Sequence, residues 1–285
     1  MLGNISPSAV AVCHMGQSGG AGLSPQLWAR PNGQSLSPDG ASGAYEFSDD
    51  FMNFGALAAD ADNHQGYGAF RTAGTISQMA TEVGGVIQFA SGGADNEDTW
   101  LTSGGNSGTL GMISDTAADA KMLVFEARVR FPQIGDTYNA FIGLAEEGLA
   151  MNNTMADDPS TAYIADKDHI GFLVNEGSGD TLQFVYNKAG AGVTAQTTVV
   201  IAAAQTLVAA TWYKIGFIYD PNAITSKRIK VFIDNVEQTT YVTGANIAAA
   251  LFPDGEELAL LAGIKEGTGS AQYLDMDWWA FWQAR

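Results

Sequence analysis

The residues best placed by type and spacing to do chemistry lie near the C-terminus, in the run YLDMDWWAFW (residues 273–282). Asp275 and Asp277 are two apart, so on an extended strand their carboxylates share one face. Two like charges that close push one pKa upward and provide an acid and a base, the pair that glycoside hydrolysis uses. Trp279 and Phe281 continue the same face, where aromatic rings stack on sugar. Asp275, Asp277 and Trp279 are therefore the candidate carbohydrate contacts. The alternate residues Leu274, Met276, Trp278 and Trp282 are expected in the core.

Such a pair needs a sheet to hold it, and from about residue 45 strand signals follow one another. KMLVFEARVRF (121–131) is the cleanest: Leu123, Phe125, Ala127, Val129 and Phe131 point one way, Glu126, Arg128 and Arg130 the other. GGVIQFASGG, YNAFIGLAE, HIGFLVN, TLQFVYN and TTVVIAA read alike, as do WYKIGFIYD and RIKVFIDN around the turn-rich PNAITSK. LALLAGIKE precedes the last strand, and only NIAAALF (246–252) has a helical look. Many short strands without alternating long helices predict an all-β, two-sheet antiparallel jelly-roll sandwich over residues 45–285, with Phe125, Val129, Phe217, Val231 and Trp278 in its core. With 46% hydrophobic residues the 285-residue chain has the material for one large core, which excludes disorder of the whole.

Residues 1–44 read differently. They are dense in Gly, Ser, Pro and Ala and lack apolar periodicity, so alone they cannot offset their ordering entropy. Leu23, Leu27, Trp28 and Leu36 stud this irregular arm and are its expected anchors to a partner.

Acidic residues outnumber basic ones 31 to 13, and a net charge of −18 repels phosphate, against nucleic-acid binding. Cys13 is the only cysteine, so no internal disulfide forms, and synthesis in a reducing compartment is expected. The first basic residue is Arg30, so the mildly apolar Ala9–Cys13 lacks the positive flank of a secretion signal, and no apolar run is long enough for a membrane helix. Cys13 and His14 have no third ligand at metal-binding spacing, and His64 and His169 match no triad. Acidic clusters occur at Asp60/Asp62, Asp157/Asp158, Asp166/Asp168 and Asp95/Asn96/Glu97/Asp98; none fits a calcium loop, and the 95–98 cluster is the first place to look for a metal. Lys227, Arg228 and Lys230 form a local basic patch, expected to protect a strand edge.

Taken together, YKIGFIYDP…RIKVFIDN and the closing YLDMDWWAFW resemble the concanavalin A-like lectin/glucanase (LamG-like) sandwich superfamily over residues 120–285. The glucanase branch carries three acids as E-x-D-x-E on one strand; this chain has Asp275-x-Asp277-x-Trp279. The missing third acid implies no catalytic residues, no enzyme and no cofactor, a structural calcium being the one metal the resemblance allows. An Ala/Gly/Thr-rich, acidic sequence with an apolar-studded arm is similar in style to phage virion proteins. That resemblance implies a capsid decoration (cement) protein or another head- or tail-associated component, made in the host cytoplasm. It would be a trimer or dimer attached to a capsid or other virion protein through its arm. The rival is a carbohydrate-binding module or tail adhesin using Trp100, Trp212 or Trp279, and third comes a glycan hydrolase.

Overall fold

The structure, a computed structural model, describes residues 22–28, 44–55, 66–103, 108–135, 138–146, 155, 167–177, 179–190 and 198–284. Its strands are β1 (Ala44–Asp49), β2 (Tyr67–Arg71), β3 (Thr75–Gln78), β4 (Ile87–Ala90), β5 (Asp98–Ser103), β6 (Gly111–Met112), β7 (Leu123–Arg130), β8 (Tyr138–Glu146), β9 (His169–Val174), β10 (Thr181–Asn187), β11 (Thr198–Thr206), β12 (Trp212–Tyr219), β13 (Ile229–Ile233), β14 (Val236–Glu237), β15 (Glu257–Glu266) and β16 (Tyr273–Ala284). They form two antiparallel sheets. The first runs β14-β13-β12-β7-β16-β4-β3, with β1 also on β16; the second runs β11-β10-β9-β8-β15-β5-β2, with β6 also on β15. The expected two-sheet sandwich is what the chain builds.

The core lies between the sheets and follows from alternation. On β7, Leu123, Phe125, Ala127 and Val129 face inward, and Phe125 meets Phe217 of β12, which meets Phe184 of β10, each pair with ring centroids 5.5 Å apart. Val231 joins them. Asp234 and Asn235, both with positive φ, join β13 to β14 as a two-residue turn of the kind that matches strand twist.

Four expectations need correction. The first concerns β16. Its register against β7 runs Asp275↔Arg130, Met276↔Val129 and then Trp278↔Arg128, so Asp277 is an extra residue in a β-bulge. A bulge inverts the alternation beyond it. Leu274 and Met276 face the core as expected, but beyond the bulge Trp279 and Phe281 face it too, while Trp278, Ala280 and Trp282 turn to the outer face.

The second concerns the arm. Residues 22–28 lie across the outer face of the first sheet, where Leu27 (0% exposed) and Trp28 (7%) bury against Val124, Phe232, Trp278, Ala280 and Trp282. Leu23 packs partly against the same cluster, and Leu36 lies outside the described residues. Leu27 and Trp28 are thus spent on the chain's own sheet and do not stand out as partner anchors. Those large outward side chains of β16 and β13 are apolar surface that something must cover. Third, the helix is shorter and earlier than NIAAALF: α1 (Gly244–Ile247) starts at a Thr243–Asn246 capping box, which satisfies its free amides at the first turn. Fourth, Arg228 precedes β13 rather than standing on it, following a 3-10 turn at Thr225–Lys227.

The outer face of the second sheet is apolar as well, with Trp100, Phe141, Ala145, Met155, Leu173, Val185 and Leu261 buried on it. Here rings sit over glycines. Trp100 covers Gly263, its cross-strand neighbour, and Phe141 lies over the paired Gly143 and Gly171, positions where any Cβ would strike the ring or the opposing backbone.

Candidate functional site

The bulge keeps Asp275 and Asp277 on the outer face of the first sheet, together as the sequence predicts, and sets them against two arginines of β7. Asp275 (0% exposed) accepts from Arg130 Nε at 2.8 Å, lies 2.7 Å from Arg130 Nη2, and accepts from Gln88 Nε2 at 2.8 Å, reached from β4. Arg130 also donates to Glu82 at 2.8 Å. Asp277 accepts from Arg128 Nη1. Burial pushes the Asp277 carboxyl above its ordinary range, against the opposing pull of Arg128. Both guanidinium groups lie over the indole of Trp212, 4.4 and 4.5 Å from the ring centroid for Arg128 and Arg130, so this half-buried ring is occupied by cations of the chain itself.

An acid pair held this way is a structural lock. Each carboxylate has a guanidinium partner at hydrogen-bond distance. Removing one member would strand the other as a buried charge.

Trp279 is 0% exposed, at the centre of an aromatic cluster with Phe47, Phe51 and Tyr67, and carries no surface for a sugar. Its Nε1 donates to the Tyr67 hydroxyl at 3.2 Å, and Tyr67 donates to Asp49 Oδ2 at 2.6 Å. Burial raises the Tyr67 pKa, and the Asp49 charge adds to it, so the hydroxyl stays protonated and the relay is fixed. Trp100 is fully buried too, its Nε1 donating to Asp98 Oδ2 at 3.1 Å. Of the three tryptophans with a sugar-contact reading, only Trp212 keeps exposed surface.

The remaining candidates separate. In the 95–98 cluster Asp98 is buried against the Thr72 hydroxyl at 2.9 Å, and Glu97 accepts from the Ala94 amide at 2.8 Å, so each carboxylate is engaged within the chain. Among the described residues no group of three or more His, Cys, Asp or Glu side chains is placed to hold a metal ion. His169 is buried edge-on to Phe141, its Nδ1 2.7 Å from the Lys167 carbonyl. Lys227 reaches the Tyr241 hydroxyl at 2.9 Å. Cys13, His14 and His64, with the acids at 60/62, 157/158 and 166, lie outside the described residues.

Sequence reasoning missed one residue of this face. Glu126 alternates outward with Arg128 and Arg130, yet it is 1% exposed beneath the arm. Its Oε2 accepts from the Ser24 amide at 3.0 Å and from Trp28 Nε1 at 2.6 Å. Burial raises its pKa, while those donors and the nearby Lys214 charge pull it down. The pattern of β7 placed Glu126 on the correct side; that a segment about a hundred residues earlier covers it is not a local property.

No family model matches the chain, and no curated protein sequence matches it. Its fold does match solved structures. Peanut lectin superposes with a TM-score of 0.55 at 13% identity, covering 85% of this chain and 97% of the lectin. The Bacteroides ovatus mixed-linkage-glucan GH16 protein, in complex with a product, superposes at 0.52 with 11% identity, covering 82% and 99%. A protein of unknown function from Shewanella oneidensis matches at 0.51 and 15%, covering 87% and 90%. The fold is the concanavalin A-like jelly-roll sandwich, shared by lectins and glucanases alike.

Proposed function

We propose that this chain works without catalysis, as a structural component of a virus particle, a capsid decoration protein or another head- or tail-associated part. The observation that carries the non-catalytic half is the locked acid pair: Asp275 and Asp277 are tied to Arg130 and Arg128, and the third acid position of the resembling enzymes is the core residue Trp279. The particle half rests on the acidic, Ala/Gly/Thr-rich sequence joined to an N-terminal arm. Attachment then falls to the arm residues outside 22–28, Leu36 among them, and to the sandwich surface, because Leu27 and Trp28 are used internally. Self-association as a trimer or dimer would multiply weak contacts into firm retention. Mass spectrometry of purified particles should recover the chain at fixed copy number, and the full chain should release no reducing ends from mixed-linkage β-glucan.

The shared fold with a lectin favours a second reading, carbohydrate binding without hydrolysis, with Trp212 and the two arginines stacked on it as the contact surface. Absence from particles together with saturable, Trp212-dependent binding on a glycan array would put this reading in place of the first. Turnover of a glycan that disappears in Asp277→Asn would overturn both.

A further inference from the structure

The loop after β6, the end of β12, the turn that follows it and α1 line an open surface cavity of about 360 Å³, a volume within the range of small-molecule sites. Tyr219, Pro221 and Ile247 give it apolar lining; Asp115, Thr225 and Arg228 give it polar lining. The arginine stands out. Arg71 donates to the Gly74 carbonyl at 3.0 Å, while Arg128 and Arg130 are paired with acids. Arg228 makes no ion pair among the described residues, and its Nη1 is buried without a hydrogen-bond partner.

In a chain of net charge −18, an unpaired buried guanidinium nitrogen is costly and calls for an acceptor. Among the described residues none provides one. The Tyr219 hydroxyl, which feels the charges of both Arg228 and Asp115, is donated to the Ser114 carbonyl at 2.6 Å. Asp220 Oδ1 is occupied by the Asn222 amide at 2.8 Å. Asp115 lines the same cavity without reaching Arg228. A guanidinium fork accepts carboxylate or phosphate, but Asp115 beside it disfavours a dianion and offers an acceptor for hydroxyl donors.

We propose that this cavity binds a small hydroxylated carboxylate of the sugar-acid class, with its carboxylate on Arg228 and a hydroxyl donated to Asp115. The site is independent of both functional readings above, since it lies away from the outer face that carries Asp275, Asp277 and Trp212.

The test uses the full chain labelled with 15N-arginine and titrated at constant ionic strength. Glucuronate should move the Arg228 side-chain resonance saturably, and glucose, its neutral twin, should not. Arg228→Gln should weaken glucuronate about 10- to 100-fold, the loss expected for hydrogen bonds to a charged group. Asp115→Asn should weaken glucuronate yet spare acetate, which has no hydroxyl to donate. An Arg228 resonance unmoved by glucuronate and acetate, equal responses to glucuronate and glucose, tighter binding of phosphate, or unchanged affinity in a folded Arg228→Gln would each overturn the proposal. If that variant fails to fold, the comparison of glucuronate with glucose on the unaltered chain still decides.

Discussion

Strands β7 and β16 bury both of their faces, and they do so by different physics. Toward the second sheet the buried groups are Phe125, Val129, Met276 and Phe281, and burial stabilises in proportion to apolar area. Toward the outside the same strands bury Glu126, Asp275 and Asp277 beside Trp278 and Trp282. There the fold depends on matching every charge and donor, since a buried polar group gains little when paired and costs much when left alone. The inner face therefore tolerates apolar exchange, and the outer face tolerates very little removal.

The comparison can be broken first at its apolar side. Phe125→Ala should cost about 3–5 kcal/mol of unfolding free energy, read by denaturant titration. On the polar side Asp275→Ala should approach a similar loss of about 3 kcal/mol, because Arg130 is stranded but keeps Glu82. The double variant Asp275→Ala with Arg130→Met should recover much of it, because no buried charge is then left unpaired.

A smaller and local effect is expected at the arm. Leu27→Ala should lower the free energy of opening residues 22–28 by about 1.5–3 kcal/mol, seen as faster hydrogen exchange there with the core amides unchanged.

The outer face should also respond to pH where the inner face cannot. The docked Glu126 has a pKa raised mainly by burial, so the docked arm holds this proton more tightly than the open one. Its contribution to docking is fully present below the ordinary carboxylate pKa and is lost as pH rises through the raised value. The charged group acting on it is Lys214 on β12. Hydrogen exchange of residues 22–28 should quicken with pH beyond its intrinsic rise, and Glu126→Gln, which still accepts from both donors, should remove that excess. The smallest effect belongs to the rim, where Lys230→Ala removes a half-exposed pair with Glu237 at 3.7 Å and should change stability by less than about 1 kcal/mol.

The amino-acid sequence by itself determined β4, β7 to β13, β15 and β16, the sandwich class and the inner face of β7, because a period of two is written into neighbouring side chains and needs no distant partner to be read, whereas β1, β2, β3, β5, β6 and β14 carry no such readable run. It also determined that Asp275 and Asp277 share a face. Only the tertiary structure decided what that face does. The bulge at Asp277 is set by pairing with β7, and one inserted residue moved Trp279 into the core and Trp278 out of it. The arm is unreadable for the same reason: Leu27 and Trp28 have no local periodicity, and their burial comes from an apolar outer face built by β7, β13 and β16. Alternation is local and survives in one dimension. Register, bulges and covering segments are long-range choices made by whichever surfaces must leave water together.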